Sequence, residues 1–151
     1  MSPRVALLSV FLAGPALAVP PVPPALAAPV ALSPEADNAA ILAAISDGDP
    51  GLTASPSPVA SVIVAAELAE RRLAAATDLD AAAELLTLAG MAREIAYQRT
   101  GAAEHLCALV AVADDVLQRP DLPSTLGAEA GNFRDRARRV LADEHPASSC
   151  A

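Results

Sequence analysis

Tryptophan and lysine are absent from this 151-residue chain, which has one tyrosine, two phenylalanines and two cysteines. Hydrophobic residues nevertheless make up 54% of it. Without aromatic bulk, a core has to be built from Ala, Leu, Val and Ile, and small side chains bury area only where elements approach closely. Helices packed on helices meet that demand. At this length, one domain is expected. Ten cations face 18 acids, for a net charge of −8. That balance argues against a nucleic-acid binder working by phosphate neutralisation. All ten cations are arginine, which with the alanine richness reads as the bias of GC-rich bacterial coding.

Long apolar runs are also missing. One run begins after the single cation Arg4, covers Val5 to Ala13, and is broken by Gly14 and Pro15 before Ala16, Leu17 and Ala18. A spanning helix needs ~20 apolar residues. The order of cation, short apolar run, breaker and small-x-small site is that of a secretory signal peptide. Cleavage is expected after Ala18, with a second candidate site after Ala27. Residues 19–33 then form a proline-rich, almost uncharged leader, suited to polyproline II and read as a spacer. The helical domain is expected over 34–151. The product is expected to be exported, periplasmic or extracellular, with no stable membrane insertion once the signal is removed. Outside a reducing cytosol, Cys107 and Cys150 are expected to be joined.

The domain reads as all-α: an up-down antiparallel bundle of four long helices plus a short N-terminal helix, closed by one disulfide. Ser33 and Pro34 offer a cap and first position for the short helix, and Gly48 lies beyond its end. Ser57 and Pro58 repeat the signal for a helix running to Ala76, with the seam Val59, Val62, Ala66, Ala69, Leu73 and Ala76. On its outer side Glu67 and Arg71 are spaced for pairing. The next helix, Leu79 to Gln98, carries the stripe Ala82, Leu85, Leu88, Ala89, Ala92, Ile95 and Ala96, and places Gly90 on the outer side near Tyr97. A fourth helix after Gly101 ends at Gln118, before Pro120, with Leu106, Leu109, Val110, Ala113, Val116 and Leu117 as its stripe. A fifth, Leu126 to Asp143, carries Leu126, Ala130, Phe133, Ala137 and Val140. If the last two are antiparallel, Cys107 lies ~9 Å below the end of the fifth helix. The seven residues Glu144 to Cys150 can cross that distance. Apart from its bond, the tail is expected to fray.

No stretch carries a specific catalytic, metal or cofactor motif. Asp47 and Asp49 flank a glycine without the further ligands of a calcium loop. His105 reads as a partly buried structural residue and His145 lies on the tail, neither in a nucleophile or zinc signature. No cofactor is implied. Arg134 and Arg138 share a helix face and form a candidate anion patch, although pairing of Asp135 with Arg139 gives the cluster a structural use. Arg99, Glu129 and Arg136 lie near their seams and would matter if a pocket gathered them. The leading expectation is an exported, non-enzymatic binding or structural protein of the bacterial envelope, its partner an unknown protein or a small anionic ligand. The alternative is a small secreted all-helical enzyme acting on a carboxylate substrate through arginines. Val19 should be the first residue found by N-terminal sequencing of secreted material; retention of Met1 in a membrane fraction would contradict the signal-peptide reading.

Overall fold

The computed structural model describes residues 32–120, 122–148 and 150. The signal sequence, both cleavage sites and most of the proline-rich leader lie outside them. Five helices follow in order: α1 (Asn38–Gly48), α2 (Val59–Ala75), α3 (Leu79–Thr100), α4 (Ala103–Leu117) and α5 (Ser124–Glu144). No strand occurs among the described residues, and none of the helices there is long and apolar enough to cross a membrane.

Side-chain capping sets the starts of α1 and α3, and a glycine ends α3. Asp78 accepts a hydrogen bond from the Ala81 amide at 2.8 Å and starts α3 almost directly after α2 ends. Gly101 closes α3 in the left-handed conformation, φ 67°, and donates its amide to Tyr97. The first helix begins later than its sequence signal. Ser33 and Pro34 build a separate turn, in which the Ala36 amide donates to the Ser33 carbonyl at 2.9 Å. Asp37 then caps α1 through the Ala40 amide at 2.8 Å. The second helix also starts one residue late, with Pro58 as its cap residue and Val59 as its first.

The α2 to α5 helices form the up-down bundle, and α1 packs against α2 and α3. Directions follow from pairs along the helices. Glu70 meets Arg93 while Ser57, before α2, meets Arg99 near the end of α3, so these two helices are antiparallel. Thr87 meets Glu129 and Glu94 meets Arg136, so α3 and α5 run in parallel. Two apolar clusters result. One joins Leu73, Ala82, Leu85 and Leu86 to the inner residues of α4 and α5; the other joins α1 and α2 to Leu88, Ala89, Ala92, Ile95 and Ala96 of α3.

α3 is therefore shared by both cores. Its stripe expected from the sequence is buried throughout, but a second face, Leu86, Gly90 and Arg93, is buried too. The placement of Gly90 on the outer side is corrected accordingly. The missing Cβ makes room for the ring of Phe133 on α5, to which a methyl group there would approach within 2.4 Å. Similarly, Leu141 joins the α5 seam and is buried, whereas Val140 is only partly so.

Cys107 and Cys150 are bonded, with Cα atoms 5.2 Å apart. The tail has a second tie. His145 packs edge-on against Tyr97, ring centroids 5.7 Å apart, and its Nε2 lies 3.1 Å from the tyrosine hydroxyl. The expectation that the bond alone holds the tail is thus revised.

Gly90→Ala tests the close approach. The alanine would favour an isolated helix by about 1 kcal/mol, yet overpacking against Phe133 should leave a net loss of about 1–2 kcal/mol. Chemical denaturation should show that loss, and it should vanish when Phe133 is first shortened to Leu.

Candidate functional site

Arg99, Glu129 and Arg136, which would have mattered if one pocket gathered them, are apart. Arg99 donates to the carbonyls of Gly48, at 3.1 Å, and Ser57, tying the end of α1 to the chain entering α2. Glu129 accepts the Thr87 hydroxyl at 2.5 Å, toward the other end of α3. Arg136 alone lines a cleft. Its guanidinium reaches Glu94 at 2.5 Å and lies 5.1 Å from the centroid of the Phe133 ring.

The candidate anion patch is neutralised from within, in line with a structural use of the arginine cluster. Arg138 bonds Asp114 of α4 at 2.8 Å, and Arg134 approaches the same carboxylate at 3.7 Å. Arg134 also bonds Asp135 at 2.9 Å, so Asp135 takes this arginine and not Arg139. The hydrogen bond to Asp135 keeps the Arg134 guanidinium still more firmly protonated than an ordinary arginine. Glu67 and Arg71, spaced for pairing, form no ion pair.

A polar cluster that periodicity does not reveal lies where α2, α3 and α4 meet. Arg93, 8% exposed, makes a bidentate pair with Glu70, at 2.6 and 2.7 Å, and its third nitrogen is 3.5 Å from Nδ1 of His105. The bond to Glu70 raises the Arg93 pKa against the opposing effect of burial. Burial and then the adjacent guanidinium push the His105 pKa down, so its imidazole is held neutral. A sequence signal exists only in retrospect: Arg93 and Leu86 lie on the same helical face as Gly90 and Tyr97.

A cleft of about 370 Å³ lies between α3 and α5 over Leu106 of α4. Its origin is the packing just described. Gly90 lets the Phe133 ring pack against α3, and further along the Arg136–Glu94 and Tyr97–Glu144 bonds bridge the two helices. Leu106, Ala137 and Val140 make an apolar floor, the Glu94/Arg136 pair borders one end, and Tyr97 with Glu144 borders the other. The Tyr97 hydroxyl donates to Glu144, and this bond raises the tyrosine pKa. A phenol so held is a poor candidate for a nucleophile or base. Among the described residues no group of three or more His, Cys, Asp or Glu side chains is placed to hold a metal ion.

Fold and site together describe a small disulfide-closed helical bundle with an open amphipathic cleft between α3 and α5. No protein-family model, curated protein or solved structure matches the chain.

The buried cluster makes stability depend on pH. A base whose pKa is lower folded than unfolded stabilises the fold fully above its unfolded value, ~6.5 for histidine, and that contribution is lost as pH falls through the folded value. Urea midpoints should therefore decline below about pH 6.5, before most carboxylates titrate, and His105→Gln should flatten that decline. Arg93→Met should cost about 2–3 kcal/mol by leaving Glu70 unpaired, and adding Glu70→Leu should recover most of it. A pH-independent midpoint in the unaltered protein would contradict the assignment of His105.

Proposed function

We propose that this is an exported, non-enzymatic helical-bundle protein of the bacterial cell envelope, and that it binds a partner or small ligand through the cleft between α3 and α5. The observation that carries this reading is how the arginines are used. Arg93, Arg99, Arg134, Arg136 and Arg138 are each engaged by the chain's own carboxylates or carbonyls. Arg72 and Arg119 likewise donate to the carbonyls of Ala36, Leu73 and Ala76. An enzyme working on a carboxylate substrate needs at least one such group aimed into its site; Arg71 and Arg139 are exposed and form no ion pair among the described residues but do not border this cleft, which presents Arg136 already paired.

Support for export is indirect: the leader has the order of a signal peptide, and the bonded cysteines suit an oxidising compartment. The reading also needs no partner insertion into the core, because the inner faces of α2 to α5 are already filled by one another.

Immobilised oxidised protein should retain a component of the native envelope fraction. Val140→Trp, which fills the cleft floor at a partly exposed position, should abolish retention without unfolding the bundle. Joint replacement of Arg134 and Arg138 by Gln should leave retention intact and shift melting little. The opposite pattern, retention lost in the arginine double variant and kept in Val140→Trp, would favour the anion-directed alternative.

A further inference from the structure

We infer that the α3/α5 cleft takes a small organic cation: an ammonium group at the Tyr97 and Glu144 end, with an aliphatic body along Leu106, Ala137 and Val140. The inference rests on the cleft being the binding site proposed above, and assigns the chemistry of what enters it. It reverses the sign that the arginine-rich sequence of α5 suggests.

Charge accounting within the cleft leads to that sign. At one end Arg136 and Glu94 cancel at 2.5 Å. At the other end Glu144 has no ion-pair partner among the described residues; it accepts the Tyr97 hydroxyl, which in turn lies 3.1 Å from Nε2 of His145. Eight residues of α5 separate Arg136 from Glu144, a rise of ~12 Å, so the paired guanidinium does not neutralise that carboxylate at close range. An anion entering here would face the unpaired charge of Glu144. A cation would be drawn to it, and the Tyr97 ring bordering the same end offers a second attraction for an ammonium group.

Size and polarity point the same way. At about 370 Å³ the cleft falls within the range of small-molecule sites. Its floor is made by alkyl groups, of which Leu106 and Ala137 are nearly inaccessible, at 3% and 2% exposure, so an aliphatic body would cover an apolar surface already fixed by the core. Inorganic cations are disfavoured because the cleft supplies few oxygen ligands and no cluster of them.

The test uses three probes of one alkyl length, hexylamine, hexanol and hexanoate, titrated into the oxidised full chain at about pH 8, where the amine is charged and free imidazole is neutral. Methyl resonances of Leu106 and Val140 report occupancy. Hexylamine should bind roughly fivefold or more tightly than hexanoate, with a preference that weakens in high salt. Glu144→Gln keeps an acceptor for the Tyr97 hydroxyl while removing the charge, so it should erase the preference and leave hexanol binding unchanged. Its melting curve should stay close to that of the unaltered protein, since Glu144 is exposed at the end of α5. Equal shifts with all three probes, indifferent to Glu144→Gln, would overturn the cation assignment and leave the cleft as a site. No shift with any probe would overturn both.

Discussion

A core almost without aromatic side chains can hold together only if its helices come close, and α3 bears most of that constraint. It is buried on two faces, the first by Leu88, Ala89, Ala92, Ile95 and Ala96 toward α1 and α2, the second by Leu86 and Gly90 toward α4 and α5, with Arg93 set between α2 and α4. On the second face the chain places its smallest residue opposite its only described phenylalanine. This combination lets one large ring serve as the anchor of α5 while the rest of the interface stays thin. The cleft is a consequence: where Phe133 stops, nothing of comparable size fills the gap, and Tyr97 and Arg136 span it with their polar ends.

The arginines solve a different problem. Short helices joined by abrupt turns leave carbonyl groups unpaired at their ends. Arg99 bonds two carbonyls at the junction of α1 and α2, and Arg119 bonds two at the end of α2. A planar guanidinium with several donors can bridge two such acceptors where an ammonium group would favour one. The chain, lacking lysine, therefore ties its loops with side chains that from sequence resemble an anion-binding set.

Much of the fold was legible because its helices are amphipathic and punctuated. Asp78, Gly101 and the prolines after Gln118 delimit elements by chemistry that acts locally. The bond between Cys107 and Cys150 followed from helix length and chain reach, quantities that depend little on neighbours. What escaped was the second face of α3. Periodicity shows Gly90 and Tyr97 on the same side, but a glycine and a tyrosine near an arginine read as solvent-facing until the ring of Phe133 is known to lie against them. The pair of Arg93 with Glu70 escaped for the same reason: helices 23 residues apart in sequence at that point must be docked before the two charges meet. Arg99, Glu129 and Arg136 were legible as polar residues near seams, and not as three separate tethers at three levels of α3.

Native-state hydrogen exchange tests most directly whether α3 unites the two cores. If it does, amides on both its faces, from Leu85 to Ala96, should be the slowest in the protein and should exchange only through global unfolding, with a common free energy and a common dependence on denaturant. If Leu85 and Leu86 instead opened with α4 and α5 while Ala92 to Ala96 stayed protected with α1 and α2, the cores would be two independent units, and the account of a single bundle built around α3 would be wrong.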